Sequence, residues 1–358
     1  METQVKAALA ISDYQQVSKL LKQWQHSDDA ENPLLRFYAA QLQEQTNRLA
    51  AAEKNYCLLL QQCTNRKIIS QARAGIERIR QQQKEQQQAA LAEARAIKGA
   101  DEGAILAIAA PTTQNRDNAI HHFAEVFNLD VYTARMKVPN DGFRIYRVGQ
   151  WGELSYFKEQ LTAEKVPAFC VKVNSIQTLQ TFQILYFETL SPQPTIICRN
   201  AERQLGKISF DWTEVTQQVR GQLPIFEQVI DLGARGRTVH KEKVQDYAQV
   251  VDLHLPGREI VVRLCDRLYQ YQKGVSLGAV NEINSRIRWN HLLANINQAT
   301  SGLQSNDFAR FGKGALEFIN LLPAIAPSLD IDRRAPSDWD LAFHLYSSLC
   351  YYKSPELS

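Results

Sequence analysis

At 358 residues, 44% apolar and 22% charged, the chain has ordinary globular composition with room for two or three cores, which excludes a disordered or fibrous protein. Its 41 Lys and Arg nearly balance 38 Asp and Glu, and a net charge of +3 excludes a global field drawing it onto nucleic acid or an anionic membrane, so any anion binding is local. Six cysteines (Cys57, Cys63, Cys170, Cys198, Cys265 and Cys350) sit on apolar segments without CxxC spacing, which predicts buried thiols in a reducing compartment rather than a disulfide scaffold.

The first residues, Met1 to Lys6, lack the basic start and apolar core of a secretory signal. Apolar runs such as Ala104 to Ala110 fall short of the roughly 20 residues a membrane helix needs. The expectation is a cytoplasmic protein, with peripheral attachment to a membrane complex as the other option. From about Thr3 to Arg80, apolar residues recur at helical spacing: Val17, Leu20, Leu21 and Trp24, then Leu34, Leu35, Tyr38, Ala39 and Leu42. These are expected to be paired helices, and Pro33 suits a first helical turn. Tyr14, Val17, Leu21 and Trp24 are echoed 35 residues later by Leu49, Ala52, Tyr56 and Leu59. This spacing resembles the tetratricopeptide repeat, whose period is about 34. Ala52 and Tyr56 match its small and aromatic positions, whereas Arg36 stands where that family favours Trp. The resemblance implies helical hairpins that bind other proteins; an antiparallel helical bundle explains the same pattern.

Gln81 to Gln88 contains only Gln, Lys and Glu and is followed by an alanine-rich stretch to Ala96, which predicts a solvated helix or flexible spacer. A domain boundary is expected at Lys98 to Gly103. Beyond it, Ala104 to Ala110, Phe143 to Val148 and Ala168 to Val173 read as strands, separated by helices at Arg116 to Asn128 and Trp151 to Glu164. That order suggests a small α/β or ferredoxin-like unit. The turn Ala110 to Asn115 has no glycine, which argues against a phosphate-cradling loop.

Strands are then predicted at Thr181 to Glu188, Thr195 to Arg199, Lys207 to Phe210 and Ile225 to Leu232, with a hairpin joining Tyr247–Leu255 to Glu259–Cys265. With a helix at Ile283 to Ile296, the element order resembles a pleckstrin-homology-like barrel, although a helical-looking Thr213 to Arg220 departs from it; a plain antiparallel sheet on helices is the alternative. Phe210-Asp211-Trp212 and Val219-Arg220-Gly221 resemble uncharacterised bacterial proteins in which a small α/β unit precedes such a turn and Arg-Gly. The glutamine-rich style resembles cyanobacterial tetratricopeptide proteins, some of which assist photosystem assembly. Two helices follow, Asp307 to Leu322 and Asp338 to Lys353, the second preceded by Ser337 in an approximate capping box with Asp340.

The expected fold class is thus α+β and multidomain: a helical-repeat module 1–80, a Gln/Ala-rich helical linker 81–103, a small α/β unit 104–175, an antiparallel β-rich domain with closing helix 176–300, and C-terminal helices 301–358. No cysteine sits in a recognisable catalytic setting with histidine. His121 and His122, adjacent on a predicted helix, point about 100° apart and are poor ligands for one metal. Asp330 and Asp332, beside Arg333 and Arg334, read as a charged loop rather than a cation site. No catalytic residue, cofactor or metal is assigned. The expected function is a non-catalytic adaptor, scaffold or assembly factor, for a photosynthetic or other membrane complex, holding a protein partner with its N-terminal helices. Lys22, Gln41 and Lys54 are the expected rim contacts. The alternative is a nucleic-acid or anionic-lipid ligand at 233–243, where Arg235, Arg237, Lys241 and Lys243 outnumber Glu242 on a predicted loop that lacks aromatics for base stacking.

Overall fold

The computed structural model describes residues 1–26, 32–232, 238–276, 284–309, 311–322, 325–327, 329, 331 and 337–353. They belong to two compact units, Met1–Glu93 and Ala94–Ser358.

The first unit is helical: α1 (Glu2–Ala10), α2 (Tyr14–Gln25), α3 (Pro33–Gln45), α4 (Leu49–Gln62) and α5 (Arg66–Ala96). Short polar side chains start several of them. Asp13 accepts the Gln16 N–H at 2.9 Å, Asn32 accepts the Leu34 N–H at 2.9 Å with Pro33 in the first turn, and Asn65 accepts the Lys67 N–H at 3.0 Å. The echo in the sequence marks helix starts, since its first pair, Tyr14 and Leu49, opens α2 and α4. Val17, Leu21 and Trp24 of α2 and Ala52, Tyr56 and Leu59 of α4 then enter one core with Phe37 and Tyr38 of α3. Helix α5 meets α4 at Gly75, where a Cβ would lie only 2.5 Å from the Tyr56 ring. The glutamine-rich 81–88 segment is part of α5 and mostly exposed, with Gln81 donating to Glu85 one turn on.

The second unit begins with β1 (Gly103–Ala109), α6 (Arg116–Phe127), α7 (Val131–Lys137), β2 (Phe143–Gln150), α8 (Trp151–Ala163), β3 (Ala168–Lys172) and α9 (Val173–Thr178). Its three-stranded sheet has the order β2-β1-β3, with β1 antiparallel to both neighbours. Helix α8 thus carries the chain from β2 to β3 past the central β1, a split βαβ arrangement. A seven-stranded sheet follows, built from β4 (Gln180–Thr189), β5 (Thr195–Arg199), β6 (Leu205–Ser209), β7 (Gln217–Leu232), β8 (Thr238–Leu255), β9 (Ile260–Cys265) and, after α10 (Ser285–Ala299), β10 (Gln304–Asp307). Helices α11 (Gly312–Ile319) and α12 (Asp338–Tyr352) complete it.

Several expectations change here. The large sheet runs β10-β7-β8-β9-β4-β5-β6, and β4·β9 and β10·β7 are parallel, so it is mixed rather than antiparallel. The segment 213–220 is not a helix: one 3-10 turn, Trp212–Glu214, is closed by an Asp211/Glu214 capping box, and β7 starts at Gln217 because its backbone pairs with His254. Asp307 ends a strand instead of opening a helix, and α11 begins only at Gly312. The 233–243 stretch is not all loop, because β8 begins at Thr238 in antiparallel register with Leu232. Ser337 does cap α12, accepting the Trp339 N–H at 3.4 Å.

Alternation along β8 and β9 divides the second core. Val251, Leu253, Val262 and Leu264 pack with Trp289 and Leu292 of α10. On the other face, one apolar cluster joins Ile105 and Phe143 of the small sheet to Val219 and Leu223 of β7, Phe308, and Phe343, Tyr346 and Leu349 of α12. Gly221 lets β7 approach α12, since a Cβ there would lie 2.6 Å from the Phe343 ring.

Candidate functional site

In the helical unit, polar side chains bridge consecutive helices. Glu44 of α3 accepts two hydrogen bonds from Arg78 of α5, at 2.8 and 3.0 Å, and a third at 2.8 Å from the Tyr56 hydroxyl of α4. Burial, then the Glu44 carboxylate that accepts its proton, pushes the Tyr56 phenol well above its ordinary value. The bidentate grip holds the Arg78 guanidinium in one orientation while about half of that side chain stays in solvent. Beside it, a shallow, open groove of about 490 Å³ runs along one face of α5 and is lined by that helix alone, by Ala74, Glu77, Arg78, Gln81, Gln82 and Glu85. Amides, carboxylates and a fixed guanidinium one helical turn apart offer donors and acceptors to a polypeptide backbone or polar side chains.

The expected rim residues do not gather there. Lys22 on α2 and Lys54 on α4 are exposed and Gln41 on α3 is half-buried. Among the described residues no hydrogen bond or ion pair joins any of the three to another. Helical facing places a residue on the outside of its own helix but does not say which helices border a groove. The groove residues themselves had a signal, the polar i, i+4 run of 77–85, which reads as a solvated surface when taken alone.

Of the basic stretch, Arg235 and Arg237 lie outside the described residues. The Lys241 backbone pairs with Val229 in the β7·β8 ladder, and Lys243, opposite Glu227, is exposed. Asp330 and Asp332 also lie outside. His121 is exposed, and His122 Nδ1 lies 3.2 Å from Glu125 and 3.6 Å from Glu164, so the two rings do not converge. Among the described residues no group of three His, Cys, Asp or Glu side chains is placed to hold a metal. Four thiols are buried, but Cys57 and Cys170 are only half-buried, a correction to the expectation for all six. Burial pushes Cys170, Cys265 and Cys350 up to about 12 and Cys198 up to about 11.

A polar cluster absent from the sequence reading lies between the large sheet and α12. Arg263 of β9 donates from Nε and Nη2 to the two carboxylate oxygens of Asp252 on β8, each at 2.7 Å, and both side chains are completely buried. The guanidinium lies 5.1 Å from the Phe343 ring centre, and its Nη2 is 3.4 Å from His344 Nδ1. His254 Nε2 is 2.9 Å from the Ser347 hydroxyl, and Gln183 donates to the Arg263 carbonyl at 3.1 Å. Desolvation lowers His254 to about 4 and His344 to about 3, so both rings are neutral near pH 7. Its members are no more than 6% exposed, so the cluster fixes α12 to β8 and β9 from inside rather than meeting solvent.

No helix among the described residues is long and apolar enough to cross a membrane. No protein-family model matches the chain, and neither does any curated protein or solved structure.

Proposed function

We propose that the protein is a non-catalytic adaptor or assembly factor whose helical unit holds a protein partner, with α1–α2 and α3–α4 as two degenerate tetratricopeptide-type hairpins. The observation that carries this reading is the α5 groove, where Glu44 and Tyr56 brace Arg78 beside a continuous row of amide and carboxylate side chains. Such a surface suits a polypeptide segment, whose backbone supplies both donors and acceptors. It replaces Lys22, Gln41 and Lys54 as the binding residues of the proposal. A pleckstrin-homology-like identity for 176–300 is not part of it, because β4 and β9 within that range pair in parallel. A place beside a photosynthetic or other membrane complex rests on resemblance alone and is to be read from the partner's identity.

The test recovers the tagged full chain and its Ala74→Trp variant from native lysate at two salt concentrations. Ala74 is exposed on α5, so the indole obstructs the groove without entering the core. The expected result is a defined protein that copurifies with the parent and is lost with the variant. Nucleic acid or lipid on both forms, released by salt, overturns the reading and favours the basic 233–243 segment.

A further inference from the structure

The second unit holds a cavity of about 620 Å³, within the range of small-molecule sites, between the 135–145 segment and the first turns of α11. Its apolar lining includes Phe143 and Phe311, whose ring centres are 5.3 Å apart. Both rings also pack on Tyr346 of α12, at 5.2 and 4.7 Å, so this wall is built before any ligand arrives. The polar lining carries two cations, Arg135 and Arg144, against one carboxylate, Asp141. Arg144 donates one N–H to the Met136 carbonyl at 2.9 Å, which ties the guanidinium to the same segment and leaves it further donors. Among the described residues Arg135 pairs with Asp117 at a long 3.5 Å, and both side chains are more than half exposed, so this pairing is weak. The α11 wall contains Gly314, where a Cβ would meet nothing within 4 Å. A glycine there costs helix stability without relieving any clash, and what it leaves is open space in the cavity.

From these features we propose that this cavity binds a small organic anion, a phosphate or carboxylate attached to an aromatic or aliphatic body. The anion engages Arg135 and Arg144 while the apolar body lies against Phe143 and Phe311. The site lies wholly in the second unit and does not depend on the partner-binding proposal.

The probe is 1-naphthyl phosphate, titrated calorimetrically into the full chain, with 1-naphthol and inorganic phosphate as the two half-ligands. Saturable binding at least about tenfold tighter than either half-ligand is expected, because charge and apolar body each contribute. Gly314→Phe should abolish it by filling the space, Gly314→Ala should retain it, and Arg144→Met should weaken it about tenfold. Ala74→Trp, in the other unit, should leave it unchanged. The proposal is overturned if 1-naphthol binds as tightly as its phosphate ester, if no saturation is reached by about 1 mM, or if a Gly314→Phe protein with the parent's melting temperature still binds. Should Gly314→Phe not fold, Arg144→Met and Arg135→Met decide, and equal affinity in both and the parent overturns the proposal.

Discussion

Replacing Asp252 with alanine isolates the contribution of the buried ion pair. The substitution leaves the Arg263 guanidinium, itself fully buried, without the carboxylate that accepts two of its hydrogen bonds at 2.7 Å. Removing one partner of such a pair costs about 3–5 kcal/mol, because the remaining charge keeps its desolvation penalty. For a cooperative unit of this size, where 1 kcal/mol moves the melting temperature by roughly 2–4 °C, the loss corresponds to a fall of about 6–20 °C. Replacing both residues together, Asp252→Leu with Arg263→Met, removes both charges and should recover most of the stability. Urea unfolding followed by near-ultraviolet circular dichroism suits the assay, since the aromatic rings of Phe343, Tyr346 and Phe308 pack around this region. An Asp252→Ala protein within about 1 kcal/mol of the parent, or a double variant as unstable as the single one, refutes the reasoning.

The neighbouring histidines make the same unit acid-sensitive. His254 and His344 titrate at about 4 and about 3 when folded, below the ordinary 6.5, so the unfolded chain binds more protons between those values. Their contribution is fully present at pH 7 and is lost as pH falls from about 6.5 towards 4, by about 1.4 kcal/mol per pH unit for each ring; urea midpoints unchanged between about pH 7 and pH 5 contradict this. In the helical unit, Gly75→Ala should destabilise by about 1–3 kcal/mol through the clash with Tyr56, outweighing the roughly 1 kcal/mol that alanine adds in helix propensity. Thermal melts of Gly75→Ala alone and with Tyr56→Leu test this, and a Gly75→Ala protein more stable than its parent rules it out.

The sequence showed the helical unit well because its signal is local: Val17, Leu21 and Trp24 repeat as Ala52, Tyr56 and Leu59 at matching helix positions, and one helix face is enough to read them. The β8–β9 hairpin was legible for a similar reason, its Pro256-Gly257 turn lying between two apolar runs. Other elements depend on distant neighbours. Gln304 to Asp307 has no strand pattern and is a strand because it lies parallel to 217–220 of β7. Thr213 to Arg220 has helix-compatible residues, but its second half is taken into the ladder opposite β8. Asp252, His254 and Arg263 occupy alternate positions in apolar strands, a pattern that resembles a solvated face until α12 is seen to cover it. The α5 groove remained hidden because the Arg78 partner, Glu44, belongs to a helix 34 residues earlier.

The position of α12 in the second core also orders events during synthesis. Ile105 and Phe143 emerge early, yet the cluster they join is closed by Phe343, Tyr346 and Leu349. At about 5–20 residues per second, the ribosome takes roughly 10–50 s to deliver the intervening 240 or so residues. The helical unit draws its core from Val5 to Ile79 and has all of its apolar contacts available throughout that interval. The helical unit therefore has its whole core on the nascent chain before the second unit acquires its last packing helix, and the two cores are completed at different times during synthesis.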